Sequence, residues 1–176
     1  MIEIIKVFKE SLPAIRLIGK RHTDDDRDNQ GSFAGKWGEW FEKGYFEILK
    51  ELGPLSESES ATYGCMSCID GEFAYWIGMF FPADTSVPEN LDYVDLPAGN
   101  VGTCWIYGKQ DSREFFGDIP HRMCYEKINE NGWSVKNNFG DGSETYWFFE
   151  KYNCPRFTTP DEKGNVILDY SFYINE

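Results

Sequence analysis

The sequence predicts an α+β fold in which a β-α-β-β unit occurs twice, related by a pseudo-twofold axis. The tripeptide Leu12-Pro13-Ala14 returns as Leu96-Pro97-Ala98, and a strand-like run follows each copy. The order of predicted strands and helices is also the same in both parts of the chain, which is typical of a duplicated unit. We therefore expect one domain, with a first half at 1–82, a linker at 83–90 and a second half at 91–176.

The first half has two strong local signals besides its apolar strands. Apolar residues recur at helical spacing from Ser32 to Leu52, and Gly53-Pro54 closes the run. Asp70-Gly71 separates two strand-like runs, which is a typical hairpin turn. The predicted elements are strands at 2–10 and 14–23, a helix at 32–52, a loop at 56–60, and strands at 62–69 and 73–82.

The second half repeats this order. Its helix is predicted to begin at Asp118, with Pro120 in the first turn, and to end before Gly132. The predicted elements are a strand at 101–109, a helix at 118–131, and strands at 146–152 and 166–175. A pseudo-twofold arrangement places a groove where the two halves meet, so both halves contribute side chains to it.

The composition disfavours several classes of partner. With 17 Lys and Arg against 30 Asp and Glu, the net charge is -13, which opposes capture of a phosphate backbone. The first eight residues mix charged and apolar side chains, so they predict neither a signal peptide nor a membrane span. Five cysteines without framework spacing predict reduced thiols. We expect a cytoplasmic protein that binds neither nucleic acid nor membrane.

The segment 146–152 is the most informative for function. Side chains alternate along a strand, so Tyr146, Phe148, Glu150 and Tyr152 share one face. A carboxylate bordered by aromatic rings suits a flat, electron-poor or cationic ligand, because ring faces attract a cation and the carboxylate compensates its charge. The alternative is a glutamate on the solvent face or paired with a lysine.

Further aromatic side chains are candidate walls of a ligand site. As a set they offer a large contact area at low entropy cost, although core packing is the better explanation for any single one. Trp37 and Trp40 lie on the helix face that packs inward, where core packing is the alternative to ligand contact. The additional candidates are Tyr63, Trp105, Tyr107, Trp37 and Trp40.

Metal ions and cofactors find no support in the sequence. His22 and His121 are the only histidines, and Cys65-x-x-Cys68 has no second pair at zinc-ribbon spacing. The glycines of the segment 35–38 lack the spacing of a phosphate-binding loop. We expect no metal and no cofactor.

Several motifs together resemble those of the GyrI-like small-molecule-binding domains, which also form the effector-binding part of AraC-type and multidrug-responsive transcription regulators. The resemblance covers nearly the whole chain and depends on the order and spacing of its motifs. The motifs are Leu12-Pro13-Ala14 with Arg16-x-x-Gly19-x-x-His22, the helix around Trp37 and Trp40, Phe73-x-Tyr75-x-x-Gly78-x-Phe80, Leu96-Pro97-Ala98-Gly99, and Phe149-Glu150-x-Tyr152.

This resemblance implies an antiparallel sheet curved around two helices, with Glu150 in a central groove where it contacts the ligand. Many members carry Gly-Pro where this chain has Gly108-Lys109, so the identity of the ligand is not carried over. Some members without a DNA-binding domain hydrolyse cyclopropane-bearing alkylating compounds inside an aromatic cage.

The expected function is binding of hydrophobic small molecules, aromatic or cationic xenobiotics, in this groove by a stand-alone protein. A hydrolase is the alternative, with Glu150 as general base and Tyr152 assisting it. A third alternative is a regulatory protein partner recognised through the acidic surface, for which only the net charge speaks.

Overall fold

The computed structural model describes residues 1–55, 61–153 and 155–175. The loop predicted at 56–60 and the thiol predicted at Cys154 lie outside these ranges. Within them the chain forms eight strands and three α-helices: β1 (Glu3–Leu12), β2 (Ile15–His22), α1 (Ala34–Glu42), α2 (Tyr45–Glu51), β3 (Ala61–Ile69), β4 (Glu72–Pro82), β5 (Asp92–Leu96), β6 (Gly99–Lys109), α3 (Asp118–Glu130), β7 (Thr145–Asn153) and β8 (Asn165–Tyr173). The predicted α+β class is confirmed.

Two details differ from the sequence prediction. A single helix over 32–52 is wrong, because Gly44 adopts a left-handed backbone (φ 69°, ψ 27°) that separates α1 from α2. Strand β5 was not predicted, because its five residues include two aspartates and show no clear strand pattern before the second Leu-Pro-Ala. None of the helices in the described ranges is long and apolar enough to cross a membrane.

All strand pairs are antiparallel, in the order β1-β6-β8-β7-β3-β4-β2-β5. Outward from the central β7–β3 pair, the two arms read β7, β8, β6, β1 and β3, β4, β2, β5. Each arm holds the third, fourth and second strands of one half, in that order, followed by the first strand of the other half. This arrangement is the predicted pseudo-twofold duplication, and its axis passes between β3 and β7.

The sheet must be strongly curved. Strands β1 and β2 lie six positions apart in the sheet, which is about 29 Å across a flat sheet. Only Pro13 and Ala14 connect them, and this connection spans at most about 11 Å. Leu12-Pro13-Ala14 thus bends the chain between β1 and β2, and Leu96-Pro97-Ala98 bends it between β5 and β6. In each case the two strands lie near opposite ends of the sheet.

The three helices pack on one face of the sheet, which we call the helix face. Its central side chains include Met66, Tyr75, Phe148 and Tyr170 and belong to one apolar core with both helical regions. The other side, which we call the opposite face, has a separate core at the axis; this core includes Tyr63, Cys65, Trp76, Phe80, Trp147, Phe149 and Tyr173.

Candidate ligand-binding site

Glu150 lies on the helix face beside the pseudo-twofold axis. Its neighbours in the sheet are Gly64 on β3 and Tyr170 on β8. Only 6% of its surface is exposed. The alternative of a glutamate on the solvent face is therefore wrong.

Two tyrosine hydroxyls donate hydrogen bonds to the same oxygen of this carboxylate. The hydroxyl of Tyr152 lies 2.5 Å from Glu150 Oε2, and that of Tyr75 lies 3.2 Å from it. The indole Nε1 of Trp37 on α1 donates to the Tyr75 hydroxyl at 3.0 Å. A chain of polar contacts on the helix face thus connects α1 to Glu150 through Tyr75.

No described cationic side chain forms an ion pair with Glu150. Burial raises the pKa of Glu150 to about 7, although the hydrogen bonds from Tyr152 and Tyr75 oppose the rise. Burial, together with the nearby carboxylate, also raises the pKa of both tyrosines well above the ordinary value. Near neutral pH the two phenols are therefore neutral donors, and the carboxyl group exchanges between its charged and neutral forms.

Gly64 leaves the space that this cluster occupies. A Cβ atom at this position would lie 2.4 Å from the Tyr75 hydroxyl and 3.0 Å from Glu150 Oε2. Both distances are shorter than ordinary van der Waals contact. A side chain at position 64 would displace the acid or its donor.

Aromatic rings border the carboxylate on the side of α1. The Trp37 ring meets the Tyr152 ring edge-on, with centroids 5.0 Å apart. The Phe33 ring stacks on Tyr75 at 4.4 Å with an interplanar angle of 4°. Phe33 and Tyr75 are buried, whereas Trp37 and Tyr152 are half-buried. The last two are therefore the part of the cover nearest to solvent.

On the side of α3, rings from the second half border the carboxylate. His121 meets the Phe148 ring at 4.6 Å, and its Nδ1 lies 3.1 Å from the Tyr170 hydroxyl. Burial lowers the pKa of His121 below its ordinary value. The imidazole is therefore neutral near pH 7 and does not compensate the charge of Glu150.

The structure brings together four of the candidates from the sequence: Glu150, Tyr152, Phe148 and Trp37. It separates Tyr63, Trp105 and Tyr107 from them, because these three lie on the opposite face. There Tyr63 stacks on Phe80 at 4.0 Å, Trp105 contacts Phe8 at 5.8 Å, and Tyr107 donates to Asp161. Alternation within a strand does not reveal which face faces the helices, so the sequence left this undecided.

Two further candidates lie elsewhere on the helix face. Trp40 is 1% exposed and packs between Tyr45 and Phe46, in agreement with the core alternative. Tyr146 begins β7 and donates to Glu144 at 3.0 Å. It is four residues before Glu150, about 13 Å along the strand.

Sequence reasoning missed several side chains of the cluster, of which Tyr75, Phe33, His121 and Tyr170 are the main ones. They come from four different elements and meet only in the folded sheet. One signal did exist: Tyr75 lies within the Phe73-x-Tyr75-x-x-Gly78-x-Phe80 motif quoted above. The four described cysteines, 65, 68, 104 and 124, are free thiols, and the first two point to opposite faces as expected.

No protein-family model and no curated protein sequence matches this chain. Solved structures match its fold. A candidate bacterial transcription regulation protein from Staphylococcus aureus MU50 aligns over 97% of this chain and 99% of its own, with 16% identity and a TM-score of 0.64. SAV2435, solved bound to tetraphenylphosphonium, aligns over 97% of this chain and 94% of its own, with 16% identity and a TM-score of 0.65.

EcmrR, solved in a complex with DNA, has 12% identity and a TM-score of 0.54. The match covers 97% of this chain and 57% of the EcmrR chain. Identities this low establish a shared fold and nothing finer. The chain thus has the fold of proteins that include a ligand-bound structure and a DNA-bound one.

Proposed function

We propose that this protein binds aromatic cations and that the Glu150 carboxylate is the countercharge for the bound cation. The observation that carries the proposal is a buried carboxylate with two phenol donors and no described cationic partner. A buried charge without a partner is costly, so an empty site favours the protonated acid. A bound cation would remove that cost.

The ring environment determines the kind of cation. Faces of Phe, Tyr and Trp rings attract cations at distances up to about 6 Å, and the attraction is stronger when water is excluded. An aliphatic ammonium would lose its hydration shell on entry and has no aryl group to stack on the surrounding rings. A cation that carries aryl groups would add stacking area with Phe148 and Trp37.

The shared fold supports this choice. The tetraphenylphosphonium in the SAV2435 structure is a permanent cation surrounded by four phenyl groups. It belongs to the chemical class that the Glu150 cluster would select. Because Glu150 is 6% exposed, entry requires the covering rings to move aside, and half-buried Trp37 and Tyr152 are the first to do so.

A calorimetric titration at pH 8 with tetraphenylphosphonium tests the proposal. The native protein should bind it saturably, and Glu150→Gln should weaken binding at least about 10-fold, because a countercharge with charge-assisted contacts is lost. Neutral triphenylphosphine oxide should bind weakly to both proteins. Glu47→Gln, at an exposed position on α2, is the matched control and should bind like the native protein. Equal affinities of native and Glu150→Gln proteins would refute the proposal.

The same cluster supports hydrolysis as a second candidate function. A carboxylate whose pKa is about 7, with a tyrosine hydroxyl at 2.5 Å, is suited to general acid–base chemistry near neutral pH. Glu150 would take a proton from a water molecule while the water oxygen bonds to a carbon of the strained ring. The ring C–C bond breaks, its electron pair moves to the rest of the compound, and the proton is returned there, so that one water is added. The aromatic rings would stabilise positive charge on the attacked carbon. Incubation with a cyclopropane-bearing alkylating compound, followed by mass analysis, should show addition of one water. If Glu150→Gln retains this turnover, Glu150 has no part in the reaction.

We also propose that residues 1–176 act as one binding domain whose partner is a small molecule. Strands β1 and β5 each pair with the other half, so neither half has a complete sheet alone. The net charge of -13 speaks against direct contact with nucleic acid.

A further inference from the structure

A cleft lies on the opposite face of the sheet, away from Glu150. It has a volume of about 430 Å³, and the residues that line it include Arg21, Ser67, Asp70, Glu72, Trp76 and Trp147. A more open lobe of about 630 Å³ shares Arg21 and Trp76 with it. Volumes of several hundred Å³ are typical of sites for small organic ligands.

The pseudo-twofold axis provides an internal comparison for this cleft. One row of paired residues crosses the opposite face in the order Arg21, Trp76, Cys65, Phe149, Ser171, Thr103. The axis relates the two ends of this row. Trp76 therefore corresponds to Ser171, and Arg21 corresponds to Thr103.

The two ends differ in how their polar groups are satisfied. In the second half, the Thr103 hydroxyl lies 2.8 Å from that of Ser171 and donates to Glu10 at 3.0 Å. In the first half, the side chains of Arg21 and Trp76 have no hydrogen-bond, ion-pair or ring partner among the described residues. The second half closes this position with its own contacts, whereas the first half leaves it open.

From this contrast we propose that the cleft binds a small aromatic zwitterion, a molecule with one aryl group, one carboxylate and one ammonium group. Trp76 and Trp147 line the cleft and are each 6% exposed, so the aryl group would contact the small part of each indole that reaches the cleft. The planar guanidinium of Arg21 suits a carboxylate, which it binds through two parallel hydrogen bonds.

The acidic residues of the cleft assign the ammonium contact. Asp70 accepts a hydrogen bond from the backbone N–H of Glu144, and Asp92 accepts one from the backbone N–H of Arg21. The Glu72 carboxylate has no described partner. Arg21 and Glu72, whose charged groups have no hydrogen-bond or ion-pair partner among the described residues, thus line the same cleft, and a zwitterion would satisfy both.

The test uses three probes of similar size on the full chain: L-phenylalanine, phenethylamine and 3-phenylpropionate. Binding is followed by the indole N–H signals of the ¹⁵N-labelled protein, assigned with Trp76→Phe and Trp147→Phe. We expect L-phenylalanine to shift these two signals with a Kd below about 1 mM. Each singly charged probe should bind at least about 10-fold more weakly, because one charge-assisted contact is lost.

Substitutions of exposed residues avoid the risk of misfolding. Arg21→Gln should abolish the preference for L-phenylalanine over phenethylamine, and Glu72→Gln should abolish that over 3-phenylpropionate. Arg122→Gln, an exposed arginine on α3, and Glu150→Gln should behave like the native protein. Equal binding of the three probes, no shift of either indole signal, or unchanged preference in Arg21→Gln would overturn the inference. Because Glu150→Gln changes only the cation site, a native-like response of this variant to L-phenylalanine shows that the cleft binds its ligand whether or not the cation site does.

Discussion

Trp37 and His121 make the same contact in the two halves of the molecule. They are 84 positions apart (37 to 121), as are the two Leu-Pro-Ala segments (12 to 96). Trp37 donates to the hydroxyl of Tyr75, and His121 contacts the hydroxyl of Tyr170. Tyr75 donates to Glu150, and Tyr170 is its neighbour in the sheet, so a single acid lies between two equivalent rings.

Gly64 leaves room for the single acid at the axis. Gly64→Ala should weaken tetraphenylphosphonium binding at least about 10-fold and destabilise the fold by about 1–3 kcal/mol, because the new Cβ overlaps the Tyr75 hydroxyl. Calorimetry and urea denaturation measure the two effects. Gly99→Ala is the control, since the nearest atom to its Cβ lies at an ordinary 3.4 Å. Similar losses in both variants would contradict a specific role for Gly64.

The raised pKa of Glu150 predicts how stability depends on pH. The folded-state pKa of about 7 exceeds the ordinary value of 4.5, so the folded protein binds more protons than the unfolded chain between these values. Stability from this group is complete below about pH 4.5 and falls by about 3 kcal/mol as the pH rises to about 7. Burial lowers the pKa of His22 and His121 and gives the opposite slope.

The difference between native and Glu150→Gln proteins therefore isolates the effect. Urea denaturation from pH 4.5 to 8 should show the native protein losing stability relative to the variant. A constant difference over this range would mean that Glu150 is ionised in the folded protein well below pH 7.

The two phenol donors should tune this pKa. Tyr152→Phe removes the hydroxyl 2.5 Å from Glu150 Oε2, and the pKa of Glu150 should rise by about one unit, since a hydrogen bond to a charged group contributes about 1.5–3 kcal/mol. Cation affinity should fall about 5-fold at pH 7 and recover at pH 9. Tyr146→Phe, on the same strand, should leave both values unchanged. A loss that persists at pH 9 would instead indicate that the hydroxyl contacts the ligand.

The break between α1 and α2 predicts opposite effects at two glycines. Gly44→Ala should destabilise the protein by about 1 kcal/mol, because φ is 69° there. Gly38→Ala, within α1 and with no atom near its Cβ, should stabilise it by about 0.5–1 kcal/mol. Thermal or urea unfolding measures both. If both substitutions changed the free energy of unfolding in the same direction, the helix break would not be a feature of the folded protein.

Local patterns predicted most of the fold. The duplicated tripeptide, the Asp70-Gly71 turn and the alternating apolar strands are short-range signals, and the corresponding elements are present. Strand β5 was not predicted because it is short and charged. The break at Gly44 was not predicted because the apolar residues keep their helical spacing across it.

The candidate site was predictable only in part. Glu150, Phe148 and Tyr152 share a strand, so alternation alone placed them together. Pairing between distant strands places Tyr75 beside them. The same pairing excludes Tyr63, because Gly64 and not Tyr63 is the β3 residue opposite Glu150. Register between distant strands is set by the whole sheet and by the bends at the Leu-Pro-Ala segments, which no local pattern reveals.

The pH dependence of tetraphenylphosphonium affinity tests the central claim most directly, because the ligand carries its charge at every pH. Between pH 5 and 7 the affinity of the native protein should rise about 10-fold per pH unit and level off above pH 7, as ionised Glu150 becomes available. Glu150→Gln should show weak, pH-independent binding. A native affinity that does not change with pH would contradict the account of Glu150 as the countercharge.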